Sequence, residues 1–397
     1  MSAGGSFGSA GGSFGSAGGS LGSAGGSFGS AGDSFGHAGG SLGSAGGSLG
    51  GAGGSFGGAG GSFDLDRWRE RLVDLSDRIR AAARGALIEA VREGSLDRLG
   101  RPAGQGAGDV TYGIDVPAEH AIDRWLEETA SEGPLSLLSE DAGWRHRGPD
   151  GRGGARALEG FDHGGPRISV DPIDGTRVLM CDLRSAWSVI GLAGPGASAP
   201  RIGEVVLGVL SEIPDSRAAR YRRLAAARGE GCRFEERVLE GDRRVAERRL
   251  DAGTDDRVDH GIFSVFRYMP AERPRLAAVE AAFFARLAAE ERADVRACFD
   301  DQYTSNGGQL ALLALGTYRM IADVRAHLFA KTLTSKPYDV AGAVICAQEA
   351  GAVVTAIDGS PLDFPLDTST PVSFVGWANR RTAERLAGHL AAALRGG

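Results

Sequence analysis

Lysine is almost missing from this chain of 397 residues: of 44 basic residues only Lys331 and Lys336 are lysine, the rest being arginine. Beside abundant alanine and glycine, that skew fits a GC-rich coding sequence, so single arginines are weak functional signals. Cysteine is sparse as well. Cys181, Cys232, Cys298 and Cys346 lie far apart without Cys-x-x-Cys spacing, which argues against a disulfide framework or a thiolate cluster and reads as reduced, mostly buried thiols in the cytoplasm. No run approaches the ~20 apolar residues that span a bilayer, so no membrane association is expected. The seven histidines are scattered, which gives no zinc pattern and places most of them on the surface. No Gly-x-x-x-x-Gly-Lys-Ser/Thr loop for ATP occurs. A net charge of −7 speaks against general nucleic-acid binding.

What is abundant at the start is glycine. From Ser2 the heptad Ser-Ala-Gly-Gly-Ser-(Phe/Leu)-Gly runs nine times, with changes such as Asp33, His37 and Gly51. One apolar side chain in seven cannot offset the entropy of ordering so Gly-rich a segment, so residues 1–63 read as a disordered low-complexity tail. It has neither the basic start nor the continuous apolar run of a signal peptide. Repeat expansion, or a start assigned too far upstream, accounts for it better than a dedicated tether.

The remainder is long enough for a large core. Leu65, Trp68, Leu72, Leu75, Ile79, Ala83 and Leu87 recur at helical spacing over 64–93, with Asp64 or Ser62 as cap and Gly94 as stop. A Gly-rich loop follows at 100–108, and a second helix is expected after Pro117. Residues 145–165, rich in Gly and Arg, read as an exposed loop. Segments 168–170, 186–193 and 204–213 have strand character, and 217–260 is too charged to assign. Helices are expected over 274–289, 308–315, 340–350 and 381–394, with strands at 317–324 and 352–357. This mixture favours layered α/β packing.

The sharpest motif is Asp171-Pro172-Ile173-Asp174-Gly175-Thr176, directly after the apolar run Ile168-Ser169-Val170. Two carboxylates three residues apart on a turn can converge on one point, and the Ile173 carbonyl can join them. Oxygen donors of this kind suit Mg²⁺. If the next segment is helical, the Gly175 and Thr176 N–H groups face an anion. Glu140-Asp141 after Leu137-Leu138, and Asp339 at the head of an apolar helix, can complete such a site, although each alone would pass for a helix cap.

Asp171 to Thr176, with Glu140 before it and Tyr338-Asp339-Val340-Ala341-Gly342 and Glu349 to Thr355 after it, resembles the inositol monophosphatase family. The resemblance covers about 64–394. It implies an α-β-α-β-α sandwich of the sugar-phosphatase type, with an N-terminal subdomain over 64–255 and a C-terminal one over 256–397. It also implies a Mg²⁺-dependent, lithium-sensitive phosphomonoester hydrolase with two or three ions per site, acting on a small polyol, inositol or sugar phosphate in the cytoplasm, commonly as a homodimer. Glu140, Asp171 and the Ile173 carbonyl would hold one ion, Asp171, Asp174 and Asp339 another. Gly175 and Thr176 would bind phosphate, and Asp115 would act with Thr176 through water. Asp323 and Ser305 align with substrate-facing positions. Arg177, Arg184 and Lys336 are candidate partners for an anionic substrate.

This chain departs from the family pattern at Asp141, at Arg177-Val178-Leu179-Met180, and in a lengthened loop between Asp323 and Asp339. The alcohol-binding rim therefore differs. A nucleotide 3′-phosphatase or a fructose-1,6-bisphosphatase is the nearest alternative, and a catalytically weak regulatory binding protein is the alternative of another class.

Overall fold

The apolar stripe between Asp64 and Gly94 forms the helix that its spacing predicts. In the computed structural model, which describes residues 63–106, 110–290 and 297–396, α1 (Leu65–Glu93) begins under the Asp64 side chain, which accepts the Arg67 N–H, and ends on Gly94 in the left-handed region at φ 63°. The repeat tail called disordered lies outside the described residues. So does 107–108 of the expected 100–108 loop, where β1 (Pro102–Gln105) instead pairs as a ribbon with β2 (Val110–Tyr112). α2 (Asp115–Glu132) starts two residues before Pro117, which falls in the first turn where its missing N–H leaves no bond unmade.

A nine-stranded sheet follows. It is built from β3 (Leu135–Ser139), β4 (Gly143–Pro149), β5 (Ala155–Ala157), β6 (Arg167–Asp174), β7 (Ala186–Ala193), β8 (Val205–Ile213), β9 (Arg220–Ala227), β10 (Gly231–Val238) and β11 (Arg244–Arg249), with the one-turn helix α3 (Thr176–Leu179) after β6. Its order is β11-β10-β9-β8-β7-β6-β3-β4-β5. Only β3 and β6 pair in parallel, with Ser139 opposite Val170, so Glu140 and Asp171 emerge side by side at the same sheet end.

Two expectations fail here for one reason. Residues 145–165 are not simply an exposed loop, because β4 and β5 form a hairpin at the sheet edge. The unassigned 217–260 supplies three strands. In both places the charged heads find partners across the surface while the backbone joins the ladder: Arg147 reaches Glu127 of α2 at 3.0 Å, and Arg222 reaches Glu212 on β8 at 2.9 Å. Arginine content hides such strands from a composition reading.

The second sheet has five strands in the order β13-β12-β14-β16-β15: β12 (Gly261–Val265), β13 (Cys298–Asp300), β14 (Tyr318–Asp323), β15 (Val353–Thr355) and β16 (Phe374–Trp377). Between and around these strands come α4 (Arg273–Glu290), α5 (Asn306–Ala314), the short α6 (Arg325–Leu328), α7 (Pro337–Glu349) and α8 (Arg380–Gly396).

The layers alternate. Leu72, Ile79, Ile122 and Trp125 of α1 and α2 pack on Ile168, Ile190 and Val209 of the large sheet. α5 and α7 fill its other face, with Leu310, Val344 and Ile345 buried against both Leu210 and Ile321. α4 and α8 cover the outside of the small sheet through Val279, Phe283, Leu386 and Leu390. The result is the α-β-α-β-α sandwich. α7 lies so close to β7 that a Cβ on Gly342 would sit 2.1 Å from the Ile190 carbonyl oxygen. Among the described residues no helix is long and apolar enough to cross a membrane. Cys232 and Cys346 are buried, but Cys181 is exposed, and none of the four is in a disulfide.

Candidate active site

Three element ends meet in one pocket. Glu140 follows β3, Asp171, Ile173 and Asp174 end β6, and Asp339 lies in the first turn of α7; all line the same cavity, together with Gly175, Thr176 and Arg177. β6 turns sharply into α3 at Gly175, whose φ of 100° is one that L side chains rarely adopt. Between Asp171 and Asp174 the pairing of β6 with β7 is irregular, a bulge that breaks the strict alternation of faces and lets both residues line the pocket.

Each carboxylate is held by local donors. Asp171 Oδ1 accepts the Ile173 N–H at 3.0 Å. Asp174 Oδ2 accepts the Ser305 hydroxyl at 2.7 Å and the Gly308 N–H at 3.0 Å. Asp339 Oδ2 accepts the Lys336 N–H at 2.8 Å. The second oxygens of Asp171 and Asp339 accept no hydrogen bond from the described residues. Withdrawal from water raises all three carboxyls: Asp174 to about 6, Asp339 to about 8 and Asp171 well above the usual range, with mutual repulsion adding to burial for Asp171 and Asp339.

Asp115, at the head of α2, stands behind this group. Its Oδ2 accepts the Tyr112 N–H at 2.8 Å, and its Oδ1 lies 3.4 Å from the Thr176 hydroxyl, which donates more closely to the Ile173 carbonyl at 2.7 Å. Burial lifts Asp115 to about 6.

A crowded set of acidic oxygens, short of donors and costly to charge, has the donor chemistry of a hard divalent cation. Glu140, Asp171, Asp174, Asp339 and the Ile173 carbonyl fit it in kind. Among the described residues, however, no three acidic, histidine or cysteine side chains stand close enough together to clasp an ion as they are positioned.

Some candidates are elsewhere. Ser305 is 1% exposed and caps α5 while holding Asp174, so it supports a carboxylate and does not line the pocket. Asp323 is 1% exposed and sealed by Arg325, whose Nε and Nη2 donate to it at 2.8 and 2.5 Å. Its expected contact with substrate hydroxyls is therefore withdrawn: Arg325, two residues on, lines the pocket in its stead. Arg184 is taken by Asp301 in a two-pronged pair at 2.8 Å and lies outside the pocket, whereas Arg177 and Lys336 do line it. Asp141 accepts the Thr111 hydroxyl at 2.6 Å.

The sequence reading missed Arg325, Phe266, Tyr268, Thr304 and Thr334 of the wall. An Asp-x-Arg spacing at 323–325 was the one available signal. Of the described histidines His120, His260 and His327 are exposed, as expected, whereas the half-buried His146 and His163 both bond the Ser136 hydroxyl, at 2.7 Å each, and His389 is buried.

Comparison with known proteins decides the family. The family model described as the inositol monophosphatase family matches residues 74–395. The chain belongs to the inositol monophosphatase family. It is accordingly a phosphoric monoester hydrolase, in a family that is generally metal-dependent and acts on small phosphate substrates. Several solved structures share the fold. The extragenic suppressor protein suhB of Bartonella henselae is 18% identical with a TM-score of 0.54, covering 82% of this chain and 98% of its own. An inositol monophosphatase from Anabaena (Nostoc) sp. PCC 7120 is 17% identical with a TM-score of 0.51, covering 84% and 97%. The MJ0109 gene product, an inositol monophosphatase-fructose 1,6 bisphosphatase, is 15% identical with a TM-score of 0.54, covering 82% and 99%. No curated protein matches the chain.

Proposed function

We propose that this family member is a Mg²⁺-dependent phosphatase that hydrolyses a small polyol, inositol or sugar phosphate with water as the nucleophile. The observation that carries the reading is the meeting of Glu140, Asp171, Asp174 and Asp339 from three separate elements in one pocket, two of them with an oxygen that accepts no hydrogen bond from the described residues. A protein that only bound a neutral ligand would gain nothing from the cost of gathering four carboxylates in one pocket, two of them buried.

Glu140, Asp171 and the Ile173 carbonyl hold one ion in this proposal, and Asp171, Asp174 and Asp339 a second. Bound Mg²⁺ supplies charge neutralisation at the phosphoryl group and activation of water. The protein's own parts do the rest. Gly175 and Thr176 offer backbone N–H groups to the phosphoryl oxygens at the turn between β6 and α3. Thr176 and Asp115, 3.4 Å apart, form a pair able to orient a water and take its proton. An Asp115 titrating near 6 is ionised at neutral pH and still basic enough to accept a proton. Ser305 and the Gly308 N–H fix the Asp174 carboxylate.

The test is release of inorganic phosphate from a panel of inositol, sugar and nucleotide phosphates with Mg²⁺, with chelator as control. Asp174→Asn is expected to lower kcat/KM by at least ~10²-fold while the protein stays folded, since a positioned charge is lost and not a core contact. Unchanged turnover in that variant contradicts the metal assignment. Tight binding of a phosphate ester with no turnover by the intact protein supports the regulatory alternative.

A further inference from the structure

The pocket wall facing the carboxylates is rich in hydrogen-bond donors and poor in free acceptors. Asp323, the carboxylate that a polyol hydroxyl would need, is saturated. Its Oδ1 accepts Arg325 Nε at 2.8 Å and the Arg325 backbone N–H at 3.2 Å; its Oδ2 accepts Arg325 Nη2 at 2.5 Å, Asn306 Nδ2 at 2.9 Å and the Ser335 hydroxyl at 3.4 Å.

The donors beside it are underused. The Arg325 guanidinium lies 4.2 Å over the Phe266 ring, and its Nη1, with two hydrogens, has one protein acceptor, the Leu333 carbonyl at 2.7 Å. Lys336 Nζ has three hydrogens and, among the described residues, one acceptor, the Ser369 carbonyl at 3.2 Å, and no ion-pair partner. The hydroxyls of Thr304 and Thr334 are buried with no hydrogen-bond partner, and both residues line the pocket. Unpartnered buried hydroxyls are uncommon and need an explanation. Arg325, Leu333, Thr334 and Lys336 all belong to the stretch between β14 and α7.

A polyol hydroxyl can accept from these groups, but its own proton then needs an acceptor and it brings no charge to meet the Lys336 ammonium; a carboxylate or phosphate brings only lone pairs and the opposite charge. From this donor surplus we infer that the alcohol released by the enzyme carries its own anionic group, a carboxylate or a second phosphate, held by Lys336, Arg325 and the Thr304 and Thr334 hydroxyls. The inference rests on the phosphatase reading and narrows it. Lys336 couples the two halves of the site, since its backbone N–H holds the Asp339 carboxylate while its ammonium holds the anion. Arg325 keeps its position through Asp323, so the buried pair acts as a preset fork for which the substrate supplies the last acceptor.

The experiment uses the full chain with Mg²⁺ and measures phosphate release from four substrates. Glycerol 2-phosphate and inositol 1-phosphate have neutral leaving groups, 3-phosphoglycerate carries a carboxylate, and fructose 1,6-bisphosphate a second phosphate. At least one of the anionic pair is expected to exceed both neutral substrates by ~10-fold or more in kcat/KM, the two arms separating carboxylate from phosphate. Lys336→Met is expected to raise the KM of that substrate by ~10-fold and to reduce the preference, with the melting temperature unmoved. Thr334→Val serves as a second variant with a smaller effect in the same direction. Equal or better turnover of the neutral substrates, or a preference untouched by both substitutions, overturns this inference alone. Release from none of the four overturns the phosphatase reading and this inference with it.

Discussion

Ser305 shows how a residue outside the pocket can govern it. Its hydroxyl caps α5 through the Gly308 N–H at 3.0 Å and also donates to Asp174 at 2.7 Å, so one side chain starts a helix and aims a carboxylate. Removing it leaves Asp174 with backbone donors only. Ser305→Ala is expected to weaken the apparent Mg²⁺ affinity by ~10–100-fold, as for other residues that orient a metal ligand, while activity at saturating Mg²⁺ largely returns. A Mg²⁺ titration of phosphate release reads this directly. An unchanged titration would mean that Ser305 serves the helix alone.

The elements are held at spacings that leave no room for added atoms where α7 crosses β7. A methyl group on Gly342 would overlap the Ile190 carbonyl, and backbone cannot yield there without moving Asp339, three residues earlier on α7. Gly342→Ala is therefore expected to cost about 3 kcal/mol in denaturant unfolding, near the upper end for overpacking, and to reduce activity beyond what the loss of folded protein explains. A variant of wild-type stability would show that α7 can slide.

At this scale much was legible in the amino-acid order. The period of Leu72, Leu75 and Ile79, the cap at Asp64 and the stop at Gly94 specify α1 without help from the rest of the chain. The Asp171–Thr176 string marks the turn that bears the site. The strands around Arg147 and Arg222 were not legible, because their charges are satisfied by partners on other elements, Glu127 on α2 and Glu212 on β8, that only the fold brings alongside. Asp323 differs: the family resemblance suggested a substrate acceptor, and although Arg325 is only two residues on, only the fold shows it closing over the carboxylate.

For the whole molecule, the acidic centre sets a pH dependence whose sign can be worked out. Asp115, Asp171, Asp174 and Asp339 all titrate higher when folded than an unfolded carboxyl at ~4. At these four groups the native state binds more protons than the unfolded state between pH ~4 and ~8, and their contribution to stability falls as pH rises through that window. Without divalent ions the melting temperature is expected to drop from pH 5 to pH 8, and added Mg²⁺ to restore it most at pH 8, where the ligands lose their protons most readily. A flat profile, or Mg²⁺ acting equally at pH 5, would separate these carboxylates from metal binding.

The most direct measurement is anomalous diffraction from crystals of the protein soaked in Mn²⁺, a cation with the oxygen preference of Mg²⁺. The account predicts two peaks in the pocket, one beside Glu140, Asp171 and the Ile173 carbonyl and one beside Asp171, Asp174 and Asp339. An ordered pocket with no peak there, or with Mn²⁺ bound only at other surfaces, would contradict it.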